Sequence, residues 1–112
     1  MDRRESKEEL RDPEDLIEEY DALLSYPNTK APHAIIYDSW MIAEARDNIH
    51  EAGLDDDERV KELDALLLKQ LLSIGWADME ENENPQWWWH LDEIARRKYP
   101  PDKLPEHLRK LY

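Results

Sequence analysis

The 112-residue chain contains no cysteine and has only two glycines, Gly53 and Gly75. Without cysteine, the chain can form no disulfide bond, thiolate metal site or cysteine nucleophile. Val60 is the only valine and Thr29 is the only threonine. Because strands favour β-branched residues and hairpins favour glycine, this composition predicts an all-α fold. Two isolated glycines also exclude a glycine-rich phosphate-binding loop.

Long apolar runs are missing as well, since the longest is Leu66-Leu67-Leu68. No segment has the length needed to cross a bilayer, and residues 1–11 lack the apolar centre of a signal peptide. We therefore expect a cytoplasmic protein that does not bind membranes. Residues 1–11 are predicted to form a flexible charged arm, and residues 12–112 a single helical domain. Its predicted architecture is a compact, bundle-like arrangement of four to five helices.

The charge of the chain is strongly negative, with a formal net value of −13. This balance opposes direct binding to nucleic acids or anionic membranes and favours a protein partner with a basic surface. The charge is also uneven, because residues 86–112 contain six Lys or Arg against four Asp or Glu. We expect the acidic remainder of the chain to attract this C-terminal stretch.

Capping residues and apolar periodicity locate the helices. Asp12 and Pro13 suit the start of the first helix, while Gly53 and Gly75 suit the ends of the second and third. Asn84 and Pro85 are predicted to begin the fourth helix, which carries the tryptophan run. The predicted ranges are 12–26, 33–52, 55–74, 86–99 and a short last helix from 105.

The third predicted helix has an unusually broad leucine-rich face. Val60, Leu63, Leu67 and Leu71 form one stripe, which is broadened by further leucines. A single neighbouring helix does not need so wide an apolar surface. The pattern therefore predicts deep burial at the centre of the domain, or a homodimer formed through this helix.

Helical geometry divides the Trp87-Trp88-Trp89 run. Trp87 and Trp88 share an arc with the apolar residues of the fourth helix and are predicted core residues, whereas Trp89 lies beside Glu93 and Arg96. Trp89 then either packs under the acidic loop or stacks on Arg96, or it is an exposed anchor for a partner. Our leading hypothesis is a non-enzymatic interaction or regulatory module that binds through Trp89, Glu93 and Arg96 and has no cofactor.

Paired acids on the first two helices suggest a different function. Glu18 and Asp21 are three residues apart, as are Glu44 and Asp47. This pattern resembles that of the all-α nucleotide pyrophosphohydrolases, whose helices carry acidic pairs at such spacing. The resemblance covers these four residues and implies a magnesium-dependent hydrolase in which they hold the metal.

Further hypotheses concern other charged residues. Asp38 lies within an apolar arc, which predicts either a buried ion pair or an acid of raised pKa. The four histidines lack zinc-binding spacing, so we expect them to be solvated or to cap helices. The high acid content also permits a third function, in which the protein mimics nucleic acid and inhibits a DNA- or RNA-binding protein.

Overall fold

A computed structural model describes residues 12–25 and 39–112, so the predicted arm 1–11 and Asp38 lie outside the described residues. Within them the chain forms five α-helices and no β-strand, which confirms the all-α prediction. The helices are α1 (Pro13–Ser25), α2 (Ser39–Glu51), α3 (Glu58–Ile74), α4 (Leu91–Ala95) and α5 (Glu106–Arg109), and two short 3₁₀ helices span Trp87–Trp89 and Pro101–Lys103.

The predicted caps form at the ends of the longer helices. The Asp12 carboxylate accepts the backbone N–H of Asp15 at 3.1 Å, which satisfies a donor at the start of α1. Asp57 accepts the N–H of Arg59 at 2.8 Å and caps α3. Gly75 ends α3 with φ 95°, and its N–H donates to the carbonyl of Leu71 at 2.8 Å. This left-handed conformation is the one that glycine adopts without steric cost.

Helix α3 lies at the centre of the domain, because it contacts α1, α4 and α5. Helix α1 also packs against α2, and α2 contacts the 3₁₀ helix of tryptophans. The α3 residues Val60, Leu67, Leu68 and Leu71 are all fully buried inside the chain. Deep burial thus accounts for most of the broad leucine face, and a homodimer through α3 remains a prediction.

The fourth predicted helix, 86–99, is wrong as a continuous helix. The tryptophans form a 3₁₀ turn, and His90, with φ −128° and ψ 41°, separates this turn from α4. The Asn84 side chain accepts the N–H of Gln86 at 2.8 Å, so it stabilises the turn before the tryptophans and caps no helix. Helix α4 ends at Ala95, well before the prolines, and Arg97 just after it has a left-handed φ of 60°.

The C-terminal stretch folds back onto α3. Leu104 and Leu108 are buried, whereas Leu111 is 38% exposed. The Tyr112 hydroxyl donates to the carbonyl of Tyr99 at 2.8 Å and accepts its N–H at 3.0 Å. The guanidinium of Arg97 donates to the Tyr112 carbonyl. These contacts hold residues 100–112 as a wall beside α2 and α3.

In the described parts of the chain, every helix is too short or too polar to span a bilayer.

Candidate functional site

Asp47 on α2 holds two of the three consecutive tryptophans. Its carboxylate accepts the indole N–H of Trp88 at 2.7 Å and that of Trp89 at 3.2 Å to both oxygens. Trp87 and Trp88 are 5% and 2% exposed, which confirms that they are core residues. Trp89 is only half-buried, so one ring edge is held by Asp47 while the rest reaches the surface.

A groove runs along a tryptophan pair formed by Trp89 and by Trp40, the second residue of α2. The two ring centroids are 5.0 Å apart and the rings are inclined at 78°. Trp40 is 57% exposed, and the groove has a volume of about 490 Å³. Residues 79–84 form its other wall and contribute three carboxylates, those of Glu80, Glu81 and Glu83. We call this surface the tryptophan groove.

The acidic wall is fixed to the tryptophan turn by asparagine side chains. The Asn82 amide donates to the carbonyl of Trp89 at 2.8 Å and to that of Glu80 at 3.0 Å. Its oxygen accepts the N–H of Asn84 at 3.0 Å. The loop therefore keeps a defined position relative to Trp89, although its side chains are exposed.

The structure does not bring the three residues of the predicted partner site together. Trp89 lines the tryptophan groove, but Glu93 lies 2.9 Å from His90 and lines a different cavity. Arg96 pairs with Asp92 on its own helix at 3.0 Å. The break at His90 explains the difference, because the expected common face required one continuous helix.

The four acids of the metal hypothesis also lie apart. Among residues 12–25 and 39–112, no group of three or more histidine or acidic side chains is arranged to hold a metal ion. Glu18 and Glu44 are exposed, Asp21 is exposed on α1, and Asp47 accepts the two indole N–H groups. The hydrolase resemblance thus gains no support from the placement of these side chains.

A second constellation lies in the interior around Arg46 of α2, which is 2% exposed. Its guanidinium donates to both oxygens of Asp64 on α3, at 2.9 and 3.0 Å, and to Asp55 at 2.6 Å. The Tyr20 hydroxyl donates to Asp64 at 2.6 Å, and His107 Nε2 lies 3.1 Å from the other Asp64 oxygen. We call this set the Arg46 network; it joins α1, α2, α3 and α5.

The groups of the Arg46 network fix one another's ionisation. Burial opposes the charge of Arg46, but the hydrogen bonds that Arg46 donates to Asp64 and Asp55 outweigh it and raise the pKa of Arg46. Burial would also raise the pKa of Asp55, yet hydrogen bonds from Arg46 and His50 lower it overall. Burial and the charge of Asp64 raise the pKa of Tyr20 well above its usual value. At neutral pH the pair Arg46–Asp55 is therefore charged and Tyr20 is neutral.

The core tryptophans cover the Arg46 network from one side. The Arg46 guanidinium carbon lies 4.5 Å from the ring centroid of Trp88 and 5.9 Å from that of Trp87. His50 lies 5.4 Å from the Trp88 ring, measured between centroids, and its Nδ1 is 2.7 Å from Asp55. These contacts place a cation against two aromatic faces and add to the ion pairs.

On its solvent side the Arg46 network borders a cleft of about 640 Å³. Helix α2, the loop that follows it and the C-terminal stretch form the walls. Two histidines, His50 and His107, line the cleft and each lies against a carboxylate of the network. Three lysines line it as well, namely Lys61, Lys103 and Lys110. We call this the lysine cleft.

Trp40, Arg46, Asp64 and His107 were not predicted as site residues. Trp40 is a large aromatic residue, yet it is exposed. His107 was expected to be solvated or to cap a helix, but it contacts buried Asp64. The sequence pattern could have identified Arg46 and Asp64 as buried charged residues, because each lies at helical spacing among buried apolar residues of its own helix. The partner of each could not be read from that spacing.

Comparison of the chain with protein-family models, with characterised proteins and with solved structures gave no match.

Proposed function

We propose that this protein is a non-enzymatic interaction module that binds a basic segment of another protein in the tryptophan groove. The observation that carries the proposal is an aromatic pair, exposed Trp40 and half-buried Trp89, facing a loop with three carboxylates. Large exposed aromatic side chains beside a groove are typical of interaction sites. The groove volume of about 490 Å³ is large enough for one or two long side chains.

The chemistry of the groove selects a cationic occupant. An ammonium or guanidinium group is attracted to indole faces, and nearby carboxylates strengthen this attraction. Glu80, Glu81 and Glu83 form no ion pair with any residue in the described ranges, so their charges are available to a ligand. The formal charge of −13 would also steer a basic segment toward the protein.

Trp89 and Trp40 have different parts in this proposal. Trp89 donates to Asp47 and packs against the core, so its replacement would disturb the fold as well as the groove. Trp40 is more than half exposed and lines the same groove, so it is the better residue to test.

The test measures binding of two synthetic peptides, a lysine- and arginine-rich peptide of about ten residues and a glutamate-rich peptide of equal length. Calorimetry should detect the basic peptide only. We expect Trp40→Ala to weaken its binding about 30-fold, because a tryptophan hot spot contributes about 2 kcal/mol. Trp76→Ala, which removes another exposed tryptophan away from the groove, should leave the affinity unchanged.

A second pair of variants separates local from general charge effects. Glu81→Gln/Glu83→Gln should weaken binding, whereas Glu62→Gln, an exposed acid on α3, should have a much smaller effect. If Trp40→Ala and Trp76→Ala bind the basic peptide equally well, the groove is not the binding site and the proposal is wrong.

A further inference from the structure

We infer that the lysine cleft is a second, separate site, which binds a polyphosphate, either free or as part of a nucleotide. It lies among α2, α3 and the C-terminal stretch and shares no lining residue with the tryptophan groove. The inference therefore goes beyond the proposed function and does not depend on it. Its starting point is a group of lysines that line one cleft, although the chain has a formal net charge of −13.

Four cationic side chains line the cleft, against three carboxylates. The cations are those of Arg46, Lys61, Lys103 and Lys110, and the carboxylates are those of Asp55, Asp56 and Glu106. The three lysines form no ion pair within residues 12–25 and 39–112. Lysine ammonium groups without a carboxylate partner that converge on one concave surface are suited to an anion with several charged oxygens.

The carboxylates of the cleft are already engaged in part. Asp55 accepts from the Arg46 guanidinium at 2.6 Å and lies 2.7 Å from His50 Nδ1. Its charge is therefore largely balanced before a ligand arrives, and the hydrogen bonds from Arg46 keep its pKa low despite burial. Repulsion of an anion by this carboxylate is reduced, and the three lysine charges outnumber those of the two remaining carboxylates, Asp56 and Glu106.

Carboxylates of the Arg46 network hold the two histidines that line the cleft. His50 is held by Asp55 through Nδ1, and His107 is held by Asp64 through Nε2 at 3.1 Å. Asp64 is itself fully buried and bound to Arg46 by two hydrogen bonds, so the His107 ring is anchored to the core.

The dimensions of the cleft set the size of the ligand. Its volume of about 640 Å³ lies within the usual range for small-molecule sites and far exceeds one phosphate group. Lysines from α3 and from both ends of the C-terminal stretch line the same space, so several phosphoryl groups can be contacted together. A linear polyphosphate or the phosphate chain of a nucleotide has this distribution of charge.

The experiment titrates pyrophosphate and ATP separately into the full chain, in buffer free of divalent cations, and follows calorimetry and thermal melting. A ligand that binds the folded state alone raises the melting temperature. Equal affinities would show that the phosphate chain supplies all contacts, and tighter binding of ATP would show a contribution from the nucleoside; both outcomes support the inference. We expect Lys61→Gln/Lys103→Gln to weaken binding about tenfold through loss of two charged contacts.

The matched control is Lys69→Gln/Lys98→Gln, which removes the same charge outside the cleft. It should keep most of the affinity, and Trp40→Ala should keep all of it. The inference is overturned if neither compound binds with a dissociation constant of about 1 mM or lower. It is also overturned if the two double-lysine variants lose affinity equally, since general charge would then explain the binding.

Discussion

The Arg46 network, which Trp87 and Trp88 cover, and the tryptophan groove both place carboxylates near indoles, but in two different environments. In the network every buried polar atom has a partner, and Asp64 accepts hydrogen bonds from three other side chains if His107 is a donor. In the groove, Glu81 and Glu83 face solvent and Trp40 is more than half exposed. Burial thus decides whether the same groups contribute to stability or remain available to a ligand.

The difference has an energetic consequence that mutation can measure. Removing one partner of a buried ion pair leaves an uncompensated charge in the protein interior, whereas removing an exposed acid changes the free energy of unfolding little. The interior network should therefore respond to substitution through unfolding free energy. The groove should respond mainly through binding.

The largest effect is expected for Asp64→Ala. This change leaves the buried Arg46 guanidinium without its two-pronged partner and removes the acceptor of Tyr20. Loss of one partner of a buried pair costs about 3 to 5 kcal/mol, a large part of the stability of a domain of this size. Urea denaturation followed by circular dichroism measures the loss. Glu62→Ala, an exposed acid on the same helix, should change stability by less than about 0.5 kcal/mol.

A loss below about 1 kcal/mol for Asp64→Ala would contradict the comparison, because the interior acid would then behave as a surface acid. An Arg46→Met/Asp64→Leu double variant sharpens the result. Replacing both charges with apolar side chains removes the unpaired ion, so it should recover most of the stability that Asp64→Ala loses. Recovery would show that the cost comes from the loss of the buried partner of Arg46, which Asp55 alone does not replace.

A smaller effect is expected at Asp47, which connects the interior to the groove. Asp47→Ala removes the acceptor of the buried Trp88 indole N–H, and an unsatisfied buried donor costs about 1 to 3 kcal/mol. The half-buried Trp89 loses the same acceptor, so the groove should loosen as well. Urea denaturation gives the stability. Binding of the basic peptide reports on the groove.

Asp47→Asn is the control for this change, because an amide oxygen still accepts an indole N–H. It should lose clearly less stability than Asp47→Ala. Equal losses in the two variants would mean that the charge of Asp47, rather than its role as an acceptor, holds the tryptophans.

The features that could be predicted from the sequence are those that depend on a residue itself or on its near neighbours in the chain. Asp12, Asp57 and Gly75 act within a few residues of their own positions, and their caps form where such residues favour them. Burial of Trp87 and Trp88 follows from their own apolar surface, and it survives the break at His90.

The two sites depend instead on pairings across the fold. Arg46 meets Asp64 across 18 positions, and Trp40 meets Trp89 across a longer distance in the chain. Periodicity places each of these residues on a face of its helix but does not identify the opposing residue. An acid within the buried stripe of α3 requires a partner, and the identity of Arg46 emerges only from the packing of α2 beside α3.

The smallest expected effect separates a buried hydroxyl from an exposed one by pH. Burial and Asp64 raise the pKa of Tyr20, so the folded protein keeps this proton when the unfolded chain has lost it. The contribution of Tyr20 to stability is therefore complete below pH of about 10, the ordinary tyrosine value, and declines above it. Between pH 10 and 11 one such group lowers the free energy of unfolding by about 1.4 kcal/mol at most.

Urea denaturation at the two pH values measures this decline in stability, and Tyr20→Phe should show a smaller decline. Burial also raises the pKa of Tyr99 and Tyr112, so both proteins share that part of the decline, and the comparison isolates Tyr20. An equal decline in the two proteins would show that Tyr20 is no better protected from ionisation than a tyrosine in solvent, and the contrast between interior and surface would not extend to this hydroxyl.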